Sequence, residues 1–306
     1  MYFKESKSEL NFRNAKAFYH VYSSPLEMDI LYRNDDELNI IINIIALSIV
    51  LCNCQLLAFA IMSNHLHFIL EGPEEECKKF FYLLFEKLKI FYRYNGRSGI
   101  LNSVELGCKQ ILSLDQLRAE IAYVVRNPFV VRQDINPFAC KETSGHLYFN
   151  PLLKKEGVPA NTLKGRALRD FTRSHKDQEL SEDIYVLDGW AQPWSFVNYL
   201  RAMSFFESAQ QFIMITLKNV EAQVEVALRY NEKVILNEHE LFGETIKLVR
   251  EMFHREKISE LETAEKMKLA LALKNKYRIS NAQIARACKM NLTDVDAMFP
   301  LAAKRK

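Results

Sequence analysis

The 306-residue chain has little of what punctuates or staples a small fold: nine glycines, eight prolines, two tryptophans and six cysteines. Cys52, Cys54, Cys77, Cys108, Cys140 and Cys288 form no CxxC pair. Cys52-x-Cys54 has the wrong spacing for a zinc knuckle. A disulfide framework is therefore excluded, and reduced, mostly buried thiols of a cytosolic protein are expected. There is no large excess of one charge. A net charge of +3 excludes a chain that binds nucleic acid by bulk basicity. Met1-Tyr2-Phe3-Lys4-Glu5 does not read as a signal peptide, and no repeat or low-complexity stretch is evident.

One absence is local. From Leu38 to Leu70 there is no Asp, Glu, Lys or Arg, a stretch long enough to span a bilayer. Asn39, Asn43, Asn53, Gln55, Asn64, His65 and His67 interrupt it, and in lipid their polar groups would be costly. Asn39 and Asn43 share one helical face. The stretch reads as a buried helix followed by two buried strands, and no membrane partner is expected.

The charge that is present is unevenly placed. Between Lys268 and Lys306 nine Lys or Arg face two Asp, a local net of +7. A basic tail on a near-neutral body points to a separate polyanion-binding element. The length admits one large domain or two ordinary ones.

Residues 1–16 read as a loose start. Strands are expected at Ala17–Ser23, Cys54–Met62 and Asn64–Glu71, with a short one at Ser103–Leu106. Helices are expected at Asp35–Cys52, Glu74–Asn95 and Leu114–Asn127, the last stopped by Pro128. This alternation predicts an α+β fold, an antiparallel sheet with helices packed on one face, closing near residue 136. Residues 137–194, rich in Gly and Pro turns, read as an irregular linker. Residues 195–306 read as an all-α C-terminal region. Its end, Ser280–Lys289 and Thr293–Phe299 around a tight turn, resembles a helix-turn-helix. Ile284, Ala285, Cys288, Val295 and Met298 would form its core. Arg286, Lys289, Lys304, Arg305 and Lys306 would face phosphates. An ordinary helical hairpin with a solvated basic tail is the alternative.

The chemistry centres on Met62-Ser63-Asn64-His65-Leu66-His67-Phe68. Strand side chains alternate faces, so His65 and His67 point the same way with Cα atoms about 6–7 Å apart. Two imidazoles so placed can converge on one divalent metal. A half-buried, hydrogen-bonded pair of histidines is the bland alternative. Downstream lies Tyr123-Val124-Val125-Arg126-Asn127-Pro128. Four residues apart on a helix, Tyr123 and Asn127 share a face. A tyrosine hydroxyl can serve as a covalent nucleophile, and an amide oxygen suits a hard cation. Alone, Tyr123 would read as packing and Asn127 as a helix end. His20, on the first strand, lies either beside this site or in the core. Trp190 and Trp194 read as packing residues or base-stacking ones.

The MSNHLH strand followed about 55 residues later by YVVRNP resembles the REP-associated tyrosine transposases, within the single-tyrosine HUH superfamily. Phe18-Tyr19-His20-Val21 is similar to that family's opening strand. The resemblance covers about residues 17–135. It implies a ferredoxin-like HUH nuclease fold. It implies Mg²⁺ or Mn²⁺ held by His65, His67 and Asn127. It implies attack by Tyr123 on single-stranded or hairpin DNA, giving a 5′-phosphotyrosine and a free 3′-OH, with Arg126 near the DNA. A cytoplasmic, nucleoid-associated protein, monomeric or homodimeric, would follow. The chain departs from the family in having Ser63 where proline is usual, Ser23-Ser24-Pro25-Leu26 in place of an Arg-Gly turn, and a weakly basic Asn102–Ile111. Two other readings remain: an adopted, non-transposing DNA-binding protein on the same fold, and a metallonuclease that uses water.

Overall fold

A computed structural model describes residues 6–26, 29–131, 139–174, 180–218, 238–277 and 279–300. The chain divides into two compact units between Asn219 and Val220.

In the first unit the elements are α1 (Lys7–Arg13), β1 (Phe18–Ser23), α2 (Asp35–Ile49), β2 (Gln55–Ile61), β3 (Leu66–Glu71), α3 (Glu74–Tyr94), β4 (Leu106–Ile111) and α4 (Leu114–Val131). The strands form one four-stranded sheet in the order β2-β3-β1-β4, antiparallel at every pairing. The fold is thus mixed α+β. Helix α1 replaces the loose start expected from the sequence. Its cause is local: the Ser6 hydroxyl accepts from the Glu9 N–H at 3.2 Å, and the Glu9 carboxylate accepts from the Ser6 N–H at 2.7 Å. This reciprocal capping box satisfies two donors at the helix start. Strand β4 lies later than the expected Ser103–Leu106. Its sequence, LGCKQI, has little β-propensity of its own, and pairing with β1 along its whole length forms it.

The uncharged stretch folds as a buried helix and two buried strands. Leu38, Ile41 and Ile45 of α2 and nearly all of β2 and β3 are buried. Asn43 lies inside this apolar region with a partner at each end of its amide. It donates to the Gly189 carbonyl at 3.1 Å and accepts from the Ala191 N–H at 2.7 Å, which offsets the cost of burying it. On one sheet face Phe68 meets Phe80 of α3 edge-on, ring centroids 5.0 Å apart, and α2 packs against α3. Helix α4 covers the other face, so helices lie on both faces of the sheet and not on one as the sequence pattern predicts. It runs past Asn127-Pro128 to Val131, so proline does not end it. Pro128 removes one hydrogen bond within the final turn, and the helix tolerates that loss.

Residues expected to be a linker, joined by Val197 from the stretch expected to be helical, seal the outer edge of the sheet. Thr143 bridges Ala60 and Val197 bridges Leu56. The Ile61 N–H donates to the Glu142 carbonyl at 2.7 Å, and the Tyr148 hydroxyl donates to the Leu57 carbonyl. An exposed edge strand is a template for unwanted pairing, and these contacts cover β2. The remaining elements of this unit are β5 (Val158–Pro159), α5 (Gly165–Thr172), β6 (Tyr185–Leu187), β7 (Trp190–Ala191), α6 (Pro193–Phe196), α7 (Tyr199–Met203) and α8 (Ala209–Lys218). Strands β5, β6 and β7 form a small second sheet, and α8 packs on α4.

This edge carries a pH dependence. His146 donates from Nδ1 to the Thr143 carbonyl at 2.9 Å. Burial holds its pKa below the usual histidine value, against the backbone carbonyls of Thr143 and Cys140, which favour the protonated ring. The unfolded chain therefore binds the proton more readily than the folded one. The contribution to stability is complete above the unfolded pKa of about 6.5 and falls as pH drops below it, by at most about 1.4 kcal/mol per pH unit. Urea midpoints measured from pH 7.5 to 5 should fall, and His146→Asn should flatten the slope. An unchanged slope in the variant would reject this assignment.

The second unit contains α9 (Glu238–Phe253), α10 (Thr263–Lys276), α11 (Asn281–Cys288) and α12 (Leu292–Met298). Leu269, Leu273, Tyr277, Ile284, Cys288 and Val295 are fully buried there, and the Tyr277 hydroxyl donates to Glu244. Lys289 turns the chain with φ of 51°, and the Met290 N–H donates to the Ala285 carbonyl at 2.9 Å. That left-handed residue after the helix does without glycine what glycine usually does. Among the described residues no helix is long and apolar enough to cross a membrane.

Candidate active site

Four polar residues of α4, Gln116, Glu120, Tyr123 and Asn127, recur at helical spacing and form one stripe. The stripe meets the histidine face of the sheet. Tyr22 stands opposite His67 and His20 opposite Ile69 in the β1–β3 ladder. Opposed residues share a face, so His20, Tyr22 and His67 project together. His65 lies just before β3, in a tight turn closed by the Met62 N–H on the His65 carbonyl at 2.9 Å. The turn is pinned from outside by the Leu26 N–H on Asn64 O at 2.7 Å and the Leu31 N–H on Ser63 O at 2.6 Å.

A hydrogen-bonded relay runs through the face. Glu120 Oε2 lies 2.5 Å from His20 Nδ1, and His20 Nε2 lies 3.0 Å from His67 Nδ1. The other carboxylate oxygen of Glu120 accepts from Gln116 Nε2 at 3.0 Å. All three relay members are fully buried. Burial, and to a lesser degree His20, hold the His67 pKa well below the usual range, so His67 is neutral at physiological pH. A carboxylate accepts only, so Nδ1 of His20 carries the proton. With His20 neutral, its Nε2 accepts from His67 Nδ1–H, and the His67 lone pair then resides on Nε2.

His65 reaches the same tautomer by another route. Asn64 Nδ2 donates to the Leu26 carbonyl at 3.3 Å, which turns Asn64 Oδ1 towards His65 Nδ1 at 2.8 Å. Oδ1 only accepts, so His65 Nδ1 is the donor and its Nε2 holds the lone pair. Both histidines of the HxH pair therefore present an Nε2 lone pair, the form in which imidazole binds a metal. Their ring centroids are 4.7 Å apart.

Tyr123 joins them. Its ring centroid is 5.6 Å from that of His67 and 6.3 Å from that of His20. Tyr123 is 3 % exposed and His65 5 %. Asn127 is half-buried, one turn further along the stripe. Among the described residues no group of three or more His, Cys, Asp or Glu is placed to hold a metal ion. A cation at His65 and His67 would therefore rely on an amide oxygen and water for its remaining ligands.

Sequence reasoning placed His65, His67 and Tyr123 together, and the structure brings them together. Arg126, expected near DNA, is 3 % exposed and offers no solvent-facing charge. Arg286 and Lys289 are exposed at the end of α11. Lys304, Arg305 and Lys306 lie outside the described residues. The second helix of the expected helix-turn-helix, α12, carries Asp294 and Asp296 and no basic residue. Asp296 accepts from Asn281 Nδ2 at 2.8 Å. Insertion of α12 among phosphates is therefore disfavoured, and only α11 and its turn present positive charge there. Glu120 was missed in the sequence. Its signal was the heptad-like recurrence of polar residues that puts it on one face of the helix with Gln116, Tyr123 and Asn127.

Tyr22 was also missed. Its ring stacks near His67, 27° from parallel with centroids 6.4 Å apart, and lies across Gly107 of β4. A Cβ on Gly107 would fall 2.1 Å from Tyr22 Cζ, so this glycine makes room for the ring. Gly107→Ala should displace Tyr22 and cost about 1–3 kcal/mol of unfolding free energy. The double variant with Tyr22→Ala should recover much of the effect of the glycine change in a denaturation cycle; simple additivity would reject the contact.

No family model, no curated protein and no solved structure matches the chain.

Proposed function

We propose that the first unit is a metal-dependent, single-tyrosine HUH-type transposase or endonuclease acting on single-stranded or hairpin DNA. The observation that carries this reading is the meeting of Tyr123 with the His65–His67 pair on one sheet face. Two further features support it. The element order β1-α2-β2-β3-α3-β4 with sheet order β2-β3-β1-β4 is that of a split βαβ, or ferredoxin-like, unit. The two Nε2 lone pairs and the Asn127 amide oxygen also make a donor set that fits Mg²⁺ or Mn²⁺. Bound there, such an ion would polarise the scissile phosphate and offset its developing charge. The chain's own part is nucleophilic. The Tyr123 oxygen bonds to phosphorus as its proton passes to solvent. The P–O3′ bond breaks, and the leaving 3′-oxygen takes up a proton. The product is a 5′-phosphotyrosine that a 3′-OH can later attack in reverse. Tyr22, half-exposed beside His67, offers a ring for a base to stack on.

One observation favours a second reading. Tyr123, His20, His67 and Glu120 are all buried, and a DNA strand reaches Tyr123 only if the packing around it opens. An adopted, non-cleaving DNA-binding protein would retain the network as a closed core. The test is incubation of the full chain with end-labelled single-stranded hairpin DNA and Mn²⁺ on a denaturing gel. A labelled band at protein mass, lost on chelation, supports the tyrosine enzyme. Cleavage without that band indicates water as nucleophile. Binding without cleavage over a broad hairpin library indicates the adopted binding protein.

A further inference from the structure

A second site lies away from the histidine face, against the small second sheet. A cavity of about 610 Å³ is bounded by Lys155, Pro159, Glu182, Asp183, Tyr185 and residues 194–200. Its aromatic wall is continuous. Tyr185 packs on Trp194 with centroids 4.7 Å apart. The Lys155 ammonium stands 5.9 Å from the Trp194 ring centre and 5.7 Å from that of Tyr199. An ammonium shared between two ring faces is held by the negative faces of both. Glu182 and Asp183 are exposed at the rim. The lining thus combines a cation-binding aromatic surface with acidic residues, which repels phosphate and attracts positive charge. The Trp194 indole N–H is buried with no acceptor among the described residues, a donor that a ligand carbonyl can satisfy.

We propose that this cavity is an aromatic cage for an organic ammonium, a methylated lysine side chain or a free quaternary amine, and that Lys155 reaches its rings from the rim as an internal stand-in. The site is independent of the reading given to the histidine face. Lys155 is exposed and makes its cage contact from the rim, so its removal leaves the fold intact while clearing the cage. An exposed cation–π contact corresponds to about a two- to fivefold change in an equilibrium constant. Lys155→Ala should tighten ammonium binding by that factor.

The experiment is calorimetric titration of the full chain with tetramethylammonium chloride and, separately, with a peptide containing trimethyllysine, each against a matched potassium chloride blank. Saturable binding that is tighter in Lys155→Ala than in the wild type supports the cage. A peptide preference of tenfold or more assigns the ligand to a protein tail, and parity assigns it to a free amine. Trp194→Leu should abolish binding with its circular dichroism unchanged; Tyr199→Leu, which keeps the indole, should weaken it if the first variant fails to fold. Absence of saturable binding to Lys155→Ala would overturn the proposal. So would equal affinity of wild type and variant, or preferential binding of a nucleoside monophosphate, which would mark a base-stacking surface.

Discussion

Phenylalanine at position 123 is expected to lower the yield of covalent protein–DNA adduct by at least about 10³-fold, the scale on which an enzyme loses activity with its nucleophile. The substitution removes one oxygen and keeps the ring that packs beside His67 and His20. Its cost to stability should stay near the worth of one hydrogen bond, about 1 kcal/mol. Matched denaturation curves and retained DNA binding would separate a lost nucleophile from a lost fold. The outcomes discriminate further. Cleavage surviving at wild-type rate in Tyr123→Phe would transfer the chemistry to water. A wild type that binds DNA without cleaving it would leave the buried network as architecture. Because Tyr123 is 3 % exposed, a cleaving wild type also requires the packing around this part of α4 to open. Hydrogen exchange along residues 114–131 should then quicken when hairpin DNA is added.

Much of the sheet was legible because its strands alternate or run apolar: β1, β2 and β3 lie within about two residues of where the pattern puts them. The HxH pair was legible for the same reason, since period two fixes a common face. What escaped was decided by backbone pairing. Strand β4 has no pattern of its own and exists through β1. Residues 137–194 looked like a linker because Gly and Pro break every period, yet Glu142 and Thr143 pair with β2, as does Asn198 from the stretch that read as helix. Side-chain patterns do not record such main-chain contacts. His20 was ambiguous for another reason. Alternation says which strand residues travel together and not which face is core, and here both faces are covered. Glu120 was missed because the sequence does not show that a buried histidine awaits it.

The Glu120–His20–His67 relay gives the second large effect, and two substitutions separate its structural share from its chemical share. His20→Ala removes the ring that meets Glu120 Oε2 at 2.5 Å, at a carboxylate that is fully buried. Breaking a buried charge-assisted pair from one side costs about 3–5 kcal/mol, so the denaturation midpoint should fall sharply. Glu120→Gln is different. The Leu112 N–H donates to Gln116 Oε1 at 3.0 Å, which fixes the Gln116 amide nitrogen towards position 120. A glutamine there must turn its own oxygen to Gln116 and present its NH₂ to His20. His20 Nδ1 then becomes an acceptor, its Nε2 a donor, and His67 is forced to accept at Nδ1 and carry its proton on Nε2. The lone pair that would face a cation is gone with almost no change in volume. Nitrogen-15 shifts of the two rings should show both tautomers inverted, while stability changes by about 1 kcal/mol. Divalent-ion affinity should fall about 10–100-fold, the usual consequence of disturbing a ligand's outer partner. Inverted tautomers with unchanged ion affinity would remove His67 from the proposed ligand set. Tautomers that stay as they are would show that Gln116 turns over despite its bond to Leu112, and the relay would not govern the histidine pair.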